Sequence, residues 1–376
     1  MDSYIRHQKI WRFLYAVANR PICRKFNLRH TDLEVEGPVL LIPNHTCAWD
    51  PLLVAMSLPH KQVYFVASEH IFRLGLISRL LNWLVEPIPR RKASSGADTV
   101  KACLRHLKAG HSVCLFAEGE QSWDGLSQPV FSATGKLARS SGATLVTFRL
   151  EGGYLSLPRW GRGVRRGRMR GYPVGVYPPE QLKSMRPEEI NALIDRDLSE
   201  DAWARQAADP VPFRGRRRAE GLEKALYLCP RCRKIGTLRT DNDRLFCSCG
   251  LELHYTETGL FSPAEPFATI ADWERWQKDA LRDLDRSGGE ALFSDGGMIL
   301  SRIDAGHGEE ELARGELVQY ADRLCLGAQT FPLAEIRSMA MVQANLLLLS
   351  CGETYYQIRA ERGANLRKYL EIWKEK

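Results

Sequence analysis

The stretch VLLIPNHTCAWDP, residues 39–51, opens the chain's main folding pattern. Its apolar run 39–42 reads as a strand, and similar β-branched or apolar runs recur at 63–67, 113–117, 144–148 and 174–177. Helical stretches lie between them. The one over about 97–109 puts Val100, Cys103, Leu104 and Leu107 on one stripe and stops at Gly110. This alternation predicts an α/β domain whose mainly parallel sheet is covered by helices. The polar loop after residue 43 then stands at the C-terminal end of a strand, where ligand sites gather in open sheets of this kind.

That loop carries His45 and, after four intervening residues, Asp50. Imidazole is the side chain best suited to take a proton from a hydroxyl near neutral pH, provided one tautomer is held. A carboxylate bonded to the far ring nitrogen supplies that hold and stabilises the imidazolium as it forms. Asp50 is the nearest carboxylate in sequence. With Pro51 behind it, Asp50 also reads as a helix N-cap, and the two roles are compatible. His45 reads either as a base or as a hydrogen-bonded loop histidine. Cys47, two residues from His45, is poorly placed to pair with it as a nucleophile.

Further segments follow in a set order: PIPRR at 87–91, FAEGEQS at 116–122, and an apolar strand containing Val146. Together with NHTCAWD they resemble the glycerol-3-phosphate and 1-acylglycerol-3-phosphate acyltransferase superfamily over about the first 200 residues. The resemblance implies that His45 is a general base and Asp50 its orienting partner. It implies that Asn44, Glu118 and Gly119 bind the acceptor, and that Arg90 and Arg91 face an anionic group of the acceptor or of coenzyme A. The implied reaction moves a fatty acyl group from acyl-CoA or acyl-carrier protein to the hydroxyl of a lysophospholipid or glycerophosphate-like acceptor, with no metal in the step. One departure stands out. Glu120 and Gln121 occupy the positions where the family pattern has Thr and then Arg, the arginine being associated with the acceptor phosphate. That change puts a simple phosphate-bearing acceptor such as lysophosphatidate in question: either Arg90, Arg91 or the later arginine cluster compensates, or the acceptor is a different lysolipid or alcohol, and the acyl-transfer chemistry is untouched.

The 376 residues, 44% hydrophobic and 26% charged, have the composition of a folded protein of two or three domains. No apolar run approaches the roughly 20 residues of a spanning helix, and the best, 74–85, is broken by Arg79. Residues 1–35 form an amphipathic segment that mixes Arg6, Lys9, Arg12, Arg20, Arg24 and Lys25 with Ile10, Trp11, Phe13, Leu14 and Val17. It reads equally as a helix lying among lipid headgroups and as one packed on the domain. A formal net charge of +8 points to an anionic partner. Six arginines between 159 and 170, with Trp160 beside Arg159, read as a solvated basic loop or as a contact for anionic headgroups or coenzyme A phosphates. The favoured placement is cytoplasmic and peripheral, on the inner face of a membrane with anionic lipids. Nucleic acid is the disfavoured partner.

Cys229 and Cys232 form a CPRC knuckle and Cys247 and Cys249 a CSCG knuckle. Four thiolates so spaced predict a closed, structural zinc site and resemble a zinc ribbon, with His254 surplus to it. The other cysteines are scattered, which favours a reducing compartment. The expected organisation is a membrane-associating segment at 1–35, an acyltransferase domain at 36–204, a basic linker at 205–226, the ribbon at 227–258, and a β-rich domain at 259–376. That last domain is pleckstrin-like in general pattern and is closed by a helix carrying Leu366, Tyr369, Leu370 and Trp373. A different class of protein shares several of these features: a zinc-ribbon binder of nucleic acid or membrane whose acyltransferase domain is degenerate. The ordered motifs favour the enzyme.

Overall fold

In the apolar run of β2 (Val39–Pro43), alternate residues point to opposite faces of the sheet. Val39 and Leu41 enter one apolar cluster and Leu40 and Ile42 enter another, so the strand is buried on both sides. The computed structural model describes residues 3–73, 75–90, 96–284, 286–287, 289–304, 308–361 and 364–375. The chain divides into two compact units, one built mainly from residues up to 215 and the other mainly from residue 216 onward.

The first unit begins with α1 (Ser3–Phe26) and β1 (Leu28–His30) ahead of β2. After it come α2 (Asp50–Ala55), β3 (Val63–Ser68), α3 (Leu76–Val85), β4 (Ile88–Arg90), α4 (Ala97–Lys108) and β5 (Ser112–Cys114). The unit continues with α5 (Ala133–Ser141), β6 (Thr144–Glu151), α6 (Gly153–Ser156), β7 (Met169–Tyr177), α7 (Pro179–Ser184), α8 (Pro187–Leu198) and α9 (Ala202–Ala208). Its seven strands lie in the order β1-β7-β6-β2-β5-β3-β4. Only β6 and β7 pair antiparallel. This is the parallel-rich α/β sheet that the alternating pattern predicts. Phe26, Leu53 and Met56 pack with one face, and Cys103, Leu137 and Ile190 with the other.

α1 packs on the domain along one side. Its inner side docks on the domain, where Trp11 Nε1 donates to the Leu58 carbonyl at 2.8 Å and Ile22 and Cys23 pack against the core. Its outer side leaves Phe13 and Val17 exposed. Two features differ from expectation. The arginine run is not one loop, because β7 starts at Met169 and the backbone of Arg166 bridges to that of Arg214. Residues 205–226 are not a free linker: α9 runs to Ala208, and Phe213, Leu222, Ala225 and Leu226 are buried. Apolar side chains at helical spacing are easily overlooked among so many arginines.

The second unit opens with an antiparallel sheet of β8 (Leu238–Asp241), β9 (Arg244–Cys247), β10 (Glu252–Tyr255) and β11 (Phe261–Ser262). Then come α10 (Ile270–Arg282), β12 (Phe293–Ile303), β13 (Glu309–Gln319), β14 (Arg323–Leu326), β15 (Gln329–Pro332), β16 (Ile336–Val342), β17 (Leu346–Cys351), β18 (Thr354–Ala360) and α11 (Arg367–Lys374). Strands β12–β18 form one antiparallel sheet in the order β15-β14-β13-β12-β18-β17-β16. α11 buries Leu370 and Ile372, with Leu366 buried just before it. Three charged side chains of α11 are buried as well: Arg367 bonds to Glu274 of α10, Lys368 meets Asp295 of β12 at 2.6 Å, and Glu371 meets Lys374 at 3.1 Å. Such pairs are tolerated in a core only when each charge meets its partner.

Candidate active site

Asp50 is fully buried, and five donors converge on its carboxylate. These are His45 Nδ1 at 2.8 Å, the Thr46 N–H at 2.5 Å, the Thr46 hydroxyl at 2.9 Å, the Cys47 N–H at 2.9 Å and the Cys47 thiol at 3.1 Å. A carboxylate only accepts, and here three donors share Oδ2 and two share Oδ1. The loop is therefore folded around this side chain. Asp50 is not the helix cap: Trp49 holds that position without a side-chain bond, and Asp50 is the first helical residue, with its carboxylate turned back into the loop. Gly153 permits the packing from outside, since a Cβ there would lie 2.1 Å from the Thr46 hydroxyl.

His45 is held on four sides. Its Nδ1–H donates to Asp50, its N–H donates to Glu118 Oε1 at 2.8 Å, its carbonyl accepts from the Ser122 N–H at 3.0 Å, and its ring lies 4.4 Å from that of Phe116. With Nδ1 carrying the proton, Nε2 carries the lone pair. The side chain is 16% exposed, enough for one edge to meet a ligand. The recess beside it is lined by Glu118, Ser122, Ser127, Tyr154 and Glu200.

Residues 25–151 match the Acyltransferase family model. Two curated relatives share this region. The chloroplastic 1-acyl-sn-glycerol-3-phosphate acyltransferase LPAT1 of Arabidopsis thaliana is 28% identical over 130 residues, 34% of this chain and 36% of that protein. The corresponding BAT2 protein of Brassica napus is 27% identical over 131 residues, 34% of this chain and 37% of that one. The chain thus matches little more than a third of the length of these relatives. The crystal structure of the 1-acyl-sn-glycerophosphate acyltransferase PlsC from Thermotoga maritima is similar at a TM-score of 0.41 and 15% identity, over 51% of this chain and 76% of that one. The family model and the two curated relatives support the glycerolipid acyltransferase superfamily for this region.

Two of the three residues expected to bind the acceptor, Asn44 and Glu118, hold backbone groups while lining the recess beside His45. Asn44 is 1% exposed, and its amide exchanges two bonds with Leu150, donating at 2.9 Å and accepting at 2.7 Å, which ties the end of β2 to β6. Glu118 is buried, with one oxygen accepting from His45 and the other from the Gln128 N–H at 2.8 Å. Burial pushes its carboxyl up to about 8, against the opposing pull of those two N–H bonds. Gly119 has φ +79°, and a Cβ there would meet the Phe131 ring at 2.3 Å. Composition and motif order point to these residues, but not to where their hydrogen bonds go.

Arg90 sits at the end of β4 with its guanidinium 6.0 Å from the Phe131 ring, the ring that covers Gly119. It is thus next to the FAEGEQS segment. Arg91 lies outside the described residues. Cys47 is buried, and desolvation first, then Asp50, holds its thiol well above the usual range, so it is no nucleophile. Trp160 is 1% exposed and packs on Tyr255. Arg165 is buried and Arg168 pairs with Asp209. Arg159, its side chain 2% exposed, donates to Glu120 at 2.6 Å and to the Gln121 carbonyl at 3.4 Å, and lies 4.3 Å over the Trp123 ring. The sequence flags both members of this pair but not their meeting.

In the second unit the four ligand sulfurs of Cys229, Cys232, Cys247 and Cys249 all lie within 4.8 Å of one another. Cys229 and Cys249 are 3.7 Å apart, and Cys232 and Cys247 are 3.8 Å apart. Tetrahedral zinc with bonds of about 2.3 Å separates its sulfur ligands by about 3.8 Å, whereas a disulfide requires about 2.05 Å. The cluster therefore fits a metal.

Proposed function

We propose that the chain is an O-acyltransferase that moves a fatty acyl group from a coenzyme A or carrier-protein thioester to the hydroxyl of a lysolipid. The observation that carries this reading is the His45–Asp50 pair, held at 2.8 Å within a region that matches the Acyltransferase model. In the step, His45 Nε2 takes the proton of the acceptor hydroxyl. The oxygen attacks the thioester carbonyl, and the tetrahedral intermediate collapses with loss of thiolate, which recovers the proton from the imidazolium. Asp50 keeps Nδ1 protonated throughout. Arg90 meets an anionic group of donor or acceptor.

The zinc assigned to Cys229, Cys232, Cys247 and Cys249 is structural. Four protein ligands leave no coordination position for a reactant.

The protein works as a peripheral enzyme on an anionic, cytoplasm-facing bilayer. Among the described residues no helix is long and apolar enough to cross a membrane. α3 exposes Leu76, Ile77, Leu80 and Trp83 along one stripe, and Arg6 of α1 lies over the Trp83 ring at 5.6 Å. α1 and α3 together carry seven basic residues and no acidic one. Apolar side chains ringed by positive charge suit a bilayer with anionic headgroups. A panel of lysolipids offered with a long-chain acyl thioester tests the activity: free thiol should appear in proportion to one or more of them, and its absence with all would overturn the reading.

A further inference from the structure

The Glu120–Arg159 pair stands on the FAEGEQS segment, whose Ser122 and Glu118 both contact His45. Ser122 of that segment donates to the His45 carbonyl, and the Gln121 carbonyl accepts from Arg159, so the pair lies within two residues of a direct contact with the base. Its two members present different faces. The Arg159 side chain is 2% exposed, its charge met by Glu120 and by the Trp123 ring, whereas Glu120 is 29% exposed. The carboxylate is the more exposed member of the pair.

We propose that the Glu120–Arg159 pair selects the acceptor, admitting hydroxyl lipids whose headgroup is uncharged or zwitterionic and rejecting a free phosphomonoester. The inference rests on the acyltransferase reading of the same site. A phosphomonoester carries nearly two negative charges at neutral pH. Beside Glu120 it meets like charge, and to reach the buried guanidinium it must first displace the carboxylate that pairs with it. A phosphodiester bears a single charge, and an ammonium attached to it meets Glu120 favourably. The discrimination comes from a repulsive group built against the wrong ligand.

The test compares kcat/KM for lysophosphatidate, lysophosphatidylcholine, lysophosphatidylethanolamine and monoacylglycerol in the full-length protein and in Glu120→Thr, Glu120→Gln and Glu120→Thr/Arg159→Met. The unaltered chain should use lysophosphatidate at least about tenfold less well than the best of the others. Glu120→Thr, which leaves the guanidinium open to an anion, should invert that ratio. Glu120→Gln, which keeps a hydrogen bond to Arg159 and so guards against misfolding, should move the ratio the same way by a smaller amount. The double variant should lose the gain. A preference for lysophosphatidate in the unaltered chain, or an equal fall on every acceptor in both single variants, would overturn the assignment while leaving the acyltransferase reading in place. Transfer to no acceptor at all would overturn both.

Discussion

Asp50 is the residue on which the loop at 44–50 depends, and its replacement separates charge from shape. Asparagine offers one acceptor oxygen where the carboxylate offers two, and its amide hydrogens would face donors. Asp50→Asn should therefore lower kcat on the order of 10³–10⁴-fold, as loss of the imidazole's correct tautomer does in comparable sites. Thermal unfolding of the same variant monitors the fold, and a near-unaltered rate would reduce Asp50 to a support for the loop. Glu118 makes a second prediction. Burial raises its carboxyl from 4.5 to about 8, so between these values the folded protein holds a proton that the unfolded chain has released. Its contribution to stability is therefore present below pH 4.5 and declines as pH rises toward 8. Glu118→Gln should flatten this part of the stability curve and cost about 1–3 kcal/mol through the backbone N–H it leaves unpaired. Urea titrations at about pH 5 and about pH 8 measure both effects, and identical pH dependence in the two proteins would mean that Glu118 remains ionised throughout. His45 and Asp50 were legible in the sequence because the chemistry requires those side chains at that spacing. The roles of Asn44 and Glu118 were not, because their partners are backbone groups of Leu150, His45 and Gln128, which no side-chain pattern reveals.

Among the elements, α3 presents an exposed apolar stripe: Leu76 is 79% exposed, and Ile77, Leu80 and Trp83 are each more than half exposed. If this stripe enters a bilayer, Leu80→Ser/Trp83→Ser should weaken binding to vesicles containing anionic lipid by at least tenfold, given about 1.5–3 kcal/mol per large apolar side chain fully buried. Raising salt from about 0.15 M to about 1 M shortens the reach of exposed charges from about 8 Å to about 3 Å. It should remove the part of binding due to Arg12, Arg20 and Arg79 and leave the apolar part. Unaltered sedimentation of the double variant with vesicles would remove α3 from the interface. The longer strands were legible because β2, β3 and β6 are apolar over most of their length. β1 and β4 have only three residues each, too few for periodicity to register. The arginine run misled in another way: residue type suggested a solvated loop, whereas Arg159 and Arg165 are buried and the run ends inside a strand.

At the scale of the whole molecule, the two units raise separate questions. For the second, purified protein should contain about one zinc per chain, and Cys229→Ser should lower both the zinc content and the unfolding temperature, because structural zinc contributes directly to folding free energy. Metal analysis finding none would leave the four thiols without their assigned ligand. The cysteine spacing made this cluster legible from sequence, as the 3.7 Å and 3.8 Å sulfur separations illustrate. The buried Arg367–Glu274 and Lys368–Asp295 pairs were not legible, since each joins residues more than seventy positions apart. For the first unit, the central claim is that His45 activates an acceptor hydroxyl for direct attack on a thioester. The most direct measurement mixes the protein with a long-chain acyl thioester, adds lysolipid only afterwards, and follows thiol release and ester formation together in the unaltered chain and in His45→Ala. The account predicts no burst of thiol and no acyl-protein before the acceptor is added, equal amounts of thiol and ester afterwards, and neither product with His45→Ala. Ester formation at the same rate without His45, or a covalent acyl-protein formed before the acceptor arrives, would contradict it.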